Sequence, residues 1–251
     1  MNALRCPPPD PRRNFLLAAL PPAEWARWQS NLEAVELRSG QVLCESGTVP
    51  AYVYFPTTAI VSLLYMTREG ASAEIAVVGK EGMVGVALVM GGNATPSQSV
   101  VHSAGQGYRL PAQAVKTEVE RGGPVLHMLL RYTQSLIAQV AQTAACNRHH
   151  SIDQQFSRRL LLGLDRSPSD ELVMTQELVA SLLGVRREGV TAAALKLQQA
   201  GVIRYRRGHI AVLDRKRLEQ HTCECYAVAK NEYERLLPMP IQTQMPMSLA
   251  A

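Results

Sequence analysis

The chain has 251 residues, 47% of them hydrophobic, which is enough apolar material for one large domain or two ordinary ones and excludes a wholly disordered protein. The net charge of +5 is unevenly placed: residues 1–123 carry ten basic and ten acidic side chains, and residues 124–251 carry sixteen and eleven. A neutral half joined to a basic half points to an anionic partner such as nucleic acid for the second half, with a merely solubilising surface as the alternative.

Residues 1–13 are Pro-rich, lack the apolar stretch of a signal peptide and are expected to be disordered. No apolar run approaches the ~18 residues needed to cross a bilayer. Five scattered cysteines (Cys6, Cys44, Cys146, Cys223 and Cys225) are too few for a disulfide framework. The expectation is a cytoplasmic protein without a membrane partner, its cysteines present as thiols.

A short helix is expected over 24–32. Short apolar or alternating runs then follow at 34–38, 52–55, 60–65, 74–78, 86–90 and 99–102, separated by glycines. This spacing predicts an antiparallel roll of short strands, a sensory domain over 14–123, closed by another helix near 112–120.

After Gly122-Gly123-Pro124 the period becomes helical, and one long helix is predicted over 124–152. Leu126, Leu130, Thr133, Ile137, Val140 and Ala144 recur at spacings of four and three over about three heptads, the pattern of a helix-helix seam between two copies. The alternative is a single helix buried in a monomer. Val125, Leu129 and Leu136 form a second face that suits packing on the β-domain.

A helix over 153–164 and a polar turn at 165–170 open the last domain, 153–235. Thr175 has the character of a helix N-cap, with Glu177 in the first turn where a carboxylate suits the helix dipole. Counting from Gln176 as one, Ala180 falls at five, Gly184 at nine and Val190 at fifteen. That is helix-turn-helix spacing: a small residue where the helices cross, a glycine for a left-handed turn, and an apolar plug in the angle. The second helix, 186–200, presents Arg187, Glu188 and Thr191 near the end that enters the major groove. Arg bonds guanine bidentately and Glu accepts from cytosine, so Arg187 and Glu188 lead the base-reading candidates. Arg186 reads as a phosphate contact or a solvated charge.

Residues 202–213 read as a β-hairpin, the wing of a winged helix, with Arg206, Arg207 and His209 at its tip for the phosphate backbone, and Thr175 as a further phosphate candidate. Nine basic and two acidic residues lie between Arg186 and Arg217, so the local excess is greater than that of the whole chain. Residues 236–251 contain Pro238, Pro240 and Pro246 without periodicity and are expected to be a disordered tail.

The expected class is thus α+β: an N-terminal antiparallel β-roll, a long dimerisation helix and a C-terminal winged helix-turn-helix. This order of parts, with Thr175-Gln-Glu-Leu-Val-Ala-Ser-Leu-Leu-Gly-Val-Arg-Arg-Glu-Gly-Val-Thr191, resembles the Crp/Fnr family of bacterial transcription regulators over about residues 14–235. The resemblance implies a cyclic-nucleotide-binding-like roll, a homodimer on a roughly palindromic double-stranded DNA site, and RNA polymerase as a further partner. Family members typically follow their Arg-Glu pair with another Arg four residues on; Arg187-Glu188 match, but Ala192 stands at the later position, which implies a different operator.

Family members that bind cyclic nucleotides use Gly-Glu for the ribose and Arg-Ser or Arg-Thr for the phosphate. The matching pocket here would be lined by Glu81, Gly82, Met83, Gly85, Gln98 and Ser99, with Met83 in place of the Glu and Gln98 in place of the Arg. A neutral amide cannot replace a charge-assisted hold typically worth ~1.5–3 kcal/mol, so the usual mode of cyclic AMP binding is not expected, and any small-molecule effector is a different one. An iron-sulfur cluster is not expected either, because only Cys6 lies in the N-terminal segment where such members carry several.

Cys146 with His149 and His150, and the pair Cys223 and Cys225, raise the question of a metal or a redox switch. Cys-x-Cys spacing is poor for one tetrahedral site and Cys146 is remote in sequence, so no metal is expected and the histidines read as cations at a helix C-terminus. The chain holds no nucleophile elbow, P-loop or zinc-protease motif, and an enzyme is not expected. The competing function is a ligand-sensing roll that acts through a protein partner without specific DNA binding, against which the Arg-rich wing argues.

Overall fold

The computed structural model describes residues 8–237. Residues 1–7 and 238–251, both expected to be disordered, lie outside them. Residues 8–13 correct the expectation for 1–13: Asp10 caps a 3-10 turn over Pro11–Arg13, and the carbonyl of Pro9 accepts from the Tyr108 hydroxyl at 2.6 Å.

Asn14 is fully buried and joins three segments. Its side-chain oxygen caps α1 (Phe15–Ala18), while its amide donates to the carbonyls of Pro56 and Gly82 at 2.9 and 2.8 Å. Helix α2 (Pro22–Gln29) then leads into two antiparallel sheets. One has the order β1 (Glu33–Leu37), β7 (Gly105–Pro111), β3 (Tyr52–Pro56); the other has the order β2 (Val42–Cys44), β6 (Gln98–Ser103), β4 (Ile60–Met66), β5 (Ser72–Val78). Expected runs at 34–38, 52–55, 60–65, 74–78 and 99–102 correspond to strands, but the run at 86–90 does not. Val86–Leu88 is a 3-10 turn closed by Leu88 N–H to Gly85 O and Val89 N–H to Val86 O. Flanking Gly85 and Gly91 have φ of +111° and +78°, which break the extended path a strand needs.

Helix α3 (Ala112–Arg121) precedes α4 (Pro124–His149), which starts with proline at its first position, where the missing N–H costs nothing. Val125 and Leu129 join Phe55, Leu110 and Trp28 in one core and Leu136 joins the second sheet's core, as the adjacent-face reading expects.

The last domain begins with α5 (Ile152–Arg166), opened by a capping box between Ser151 and Gln154. Short strand β8 (Glu171–Val173) precedes α6 (Gln176–Leu183) and α7 (Arg187–Gln199), and β8 completes a three-stranded sheet with β9 (Ile203–Arg206) and β10 (His209–Val212) in the order β8, β10, β9. Phe156, Leu160, Val179, Val190, Ala193, Val202 and Ile210 form its core. Helices α8 (Arg215–His221) and α9 (Cys225–Leu236) follow. Helix α9 leaves this domain: Tyr233 Oη donates to Glu81 O at 2.7 Å, and Leu236 and Leu237 are buried in the N-terminal core. The 153–235 unit and the roll therefore share an element, and the tail expected from 236 does not include these two leucines.

Candidate nucleic-acid interface

Thr175 Oγ1 accepts from Leu178 N at 3.1 Å and starts α6, and Gly184 ends it at φ +65°, a left-handed conformation costly for residues with a Cβ. The chain re-enters helix at Arg187, with Ala180 4% exposed at the crossing and Val190 completely buried in the angle. Each helix-turn-helix position counted from Gln176 therefore has the environment its residue type demands.

This crossing leaves the first turn of α7 in solvent. Arg186, Arg187, Glu188 and Thr191 are all exposed, and Arg187 Nε lies 4.0 Å from Glu177, a loose pair with both side chains mostly in water. Thr191 Oγ1 donates to Gln176 Oε1 at 2.7 Å, so the hydroxyl also locks the two helices together. Arg207 at φ +49° and Gly208 at φ +82° make the two-residue turn of the wing, with both central residues left-handed as a right-twisted hairpin requires. Between α7 and the wing lies an open cleft of about 450 Å³ whose walls include Thr175, Arg187, Thr191, Leu195, Tyr205 and Arg207. Arg206 and Arg207 stand free at the tip. His209 differs: its Nδ1 is 2.7 Å from Glu171 Oε1, with both side chains more than half exposed, so the ring reaches a phosphate only by giving up that surface partner.

The nine basic residues between Arg186 and Arg217 also divide. Lys196 pairs with Asp153 at 2.6 Å, and Arg215 with Asp165 at 2.5 Å and Glu219 at 3.0 Å, so these are internal ties. Leu195, 51% exposed, and Tyr205, whose hydroxyl donates to Met174 O at 2.7 Å, escaped the sequence reading. Leu195 sits one turn beyond Thr191, so helical periodicity carried that signal.

The six expected pocket residues are engaged elsewhere. Glu81 Oε1 accepts from Arg166 Nε of α5 at 2.7 Å with both side chains largely buried. Gly82 approaches Tyr132 too closely for a Cβ, Gly85 serves the left-handed bend before the 3-10 turn, and Met83 is 1% exposed in the core, its carbonyl accepting from Tyr132 Oη at 2.9 Å. Gln98 donates to Glu45 at 2.7 Å on the surface, and Ser99 is buried in β6. This corrects the pocket drawn from spacing: Glu81 lines a cavity of about 330 Å³ shared with Lys80, Tyr132, Arg166, Lys230 and Tyr233 at the junction with α5 and α9.

The expected seam on α4 splits in two. Leu130, Ile137 and Ala144 lie one heptad apart on an exposed face, with Ile137 60% exposed. Leu126 and Val140 pack against the cores, and Thr133, 6% exposed, donates to Leu129 O; these three face inward and are withdrawn from the seam.

Against the expectation from their separation in sequence, Cys146, Cys223, Cys225 and His150, though not His149, place one ligand atom each within 4.8 Å of one another.

A model of the cyclic nucleotide-binding domain matches residues 34–121, and a model of the Crp-like helix-turn-helix domain matches residues 157–221. Similar solved structures include a regulator assigned to the Crp/Fnr family from Eubacterium rectale, 19% identical with a TM-score of 0.66, covering 83% of this chain and 98% of that one. FixK2 from Bradyrhizobium japonicum is 15% identical with a TM-score of 0.65, covering 76% and 98%. A Crp-family transcriptional regulator from Thermus thermophilus is 18% identical with a TM-score of 0.61, covering 74% and 95%. No curated protein matches the chain in sequence.

Proposed function

The chain belongs to the Crp/Fnr family of transcription regulators and is a DNA-binding regulator, and on that premise we propose that it acts as a homodimer that reads a roughly palindromic site through two copies of α7. The observation that carries this reading is the bare, charged first turn of α7 beside the Arg206-Arg207 wing tip. Arg187 and Glu188 read base edges. Arg186, Arg206, Arg207 and the α6 start at Thr175 hold phosphates, supplying affinity without sequence information. Leu130, Ile137 and Ala144 supply the seam between copies. The protein works in the cytoplasm, with RNA polymerase as the machinery it addresses; among the described residues no helix is long and apolar enough to cross a membrane.

Signal passes from roll to reading head through α5 as well as α4. Arg159 pairs with Glu74 of β5 at 2.8 Å, and Arg166 with Glu81, so a change in the roll bears directly on the helix that opens the DNA-binding domain. An effector entering the cavity beside Glu81 would act on Arg166. It is not cyclic AMP held in the usual manner, because Met83 and Gln98 supply neither ribose-binding carboxylate nor phosphate-binding cation.

Retention of genomic DNA fragments in a gel shift, measured over a range of salt, tests the reading. The expected result is site-preferring binding that weakens steeply with salt, by about 10³–10⁵ between 50 and 200 mM for six to ten phosphate contacts. Retention that neither prefers sequences nor responds to salt would refute it.

A further inference from the structure

His150 caps the end of α4, its backbone N–H bonded to the carbonyl of Cys146 one turn earlier, whose side chain is fully buried. Cys223 in the turn after α8 and Cys225 at the start of α9, 5% and 2% exposed, come against that end because α9 runs back along α4. Cys146 Sγ is 3.5 Å from Cys223 Sγ, and Cys225 Sγ is 3.5 Å from His150 Nδ1. Around a tetrahedral zinc ion, with Zn–S about 2.3 Å and Zn–N about 2.0–2.1 Å, two sulfurs stand about 3.8 Å apart and a sulfur and a nitrogen about 3.6 Å. The two measured edges come within a few tenths of an ångström of that figure.

We propose that Cys146, His150, Cys223 and Cys225 form a closed Cys₃His site for Zn²⁺ that pins the start of α9 to the end of α4, at the point where the chain passes into the DNA-binding domain. Two surrounding groups fit that ion. His150 Nε2, the nitrogen turned away from the thiols, is 3.3 Å from Glu224 Oε1, the carboxylate-histidine arrangement that orients a metal-bound imidazole. Arg158 is 6% exposed, and its Nε is buried without a hydrogen-bond partner among the described residues. Binding releases three thiol protons to solvent and leaves three thiolates, one neutral imidazole and one Zn²⁺, a net charge of −1 that Arg158 balances. Without a cation, burial pushes the Cys146 thiol up to about 12 and Cys225 upward as well, while the Arg158 charge favours both thiolates. A Cys146–Cys223 disulfide would need the sulfurs at about 2.05 Å and would leave Cys225 and His150 without a role.

The test is elemental analysis of the tag-free full-length chain purified under reducing conditions, followed by Co²⁺ replacement. The expected result is about one Zn²⁺ per chain, and a cobalt form with thiolate charge-transfer absorption and the intense visible bands of a tetrahedral ion. Cys223→Ser and Cys225→Ser should lose the stoichiometric metal, Glu224→Gln should weaken its affinity about 10- to 100-fold, and Cys44→Ser and His149→Ala should keep it. If the serine variants do not fold, the wild-type cobalt spectrum still decides. Metal-free wild type that takes up neither ion, a cobalt spectrum without thiolate charge transfer, or a Cys146–Cys223 disulfide in the freshly reduced chain would overturn the site.

Discussion

Arg159 and Glu74 form the most deeply buried ion pair in the structure's inter-domain contact, with side chains 3% and 7% exposed. Arg159 Nε lies 2.8 Å from Glu74 Oε1, but only the Nη2 to Oε2 contact, at 3.2 Å, is aligned as a hydrogen bond; Ser62 donates to the same carboxylate. Removing one member of a buried pair strands the other charge away from water, a loss of about 3–5 kcal/mol, whereas replacing both removes two desolvation costs together and is often neutral. Because the guanidinium's Nε and Nη1 lack aligned acceptors, the lower end applies. Arg159→Met and Glu74→Gln should therefore each destabilise by about 3 kcal/mol, and the double variant should return to within about 1 kcal/mol of the parent.

Urea unfolding of the full chain, followed by fluorescence of Trp25 and Trp28 in the roll and by circular dichroism, gives the four corners of this cycle. A second readout is His102, held down to about 3 mainly by burial and also by the charge of Arg159. Loss of that charge should let His102 titrate at higher pH, visible in its imidazole NMR signals. Additive costs, or single losses below about 1 kcal/mol, would show that β5 and α5 do not share a dry contact in solution and would remove the proposed route through α5.

Arg187→Ala should cost about 1–3 kcal/mol at a preferred site and relax base choice there, measured by fluorescence anisotropy against operator variants; an equal loss on all sequences would make Arg187 a phosphate contact. Ile137→Asp places a carboxylate in the exposed seam without disturbing the fold, so light scattering should show a fall from dimer to monomer mass, and an unchanged mass would locate the seam elsewhere. His102 stays neutral in the folded chain while an unfolded histidine takes a proton below pH 6.5. Its contribution is therefore intact above pH 6.5 and is lost as pH falls toward 3, at up to about 1.4 kcal/mol per pH unit. His102→Gln should flatten that part of the pH-stability curve, and an unaltered slope would contradict the burial.

The helix-turn-helix was legible because its determinants are local: Thr175 caps the helix that follows it, Gly184 takes a backbone angle open to few residues, and Val190 lies on a face set by helical period. The run at 86–90 misled for an equally local reason, since its apolar content suited a strand while the bends at Gly85 and Gly91 did not. On α4, spacing alone marked Leu126 and Ile137 as one stripe, because a helix with two apolar faces gives the same count whichever face meets the roll. Glu81 and His209 were assigned to ligands by position and proved to face Arg166 and Glu171, partners 85 and 38 residues away.

The sequence by itself determined the helix-turn-helix, its turn chemistry and the sign of the charge around it, all properties of near neighbours along the chain. Only the tertiary structure decided which basic groups remain free, which face of α4 is bare, and that Cys146 meets Cys223 and Cys225. The last of these depends on α9 folding back along α4 to bury Leu236 and Leu237, a long-range packing event that no local spacing encodes.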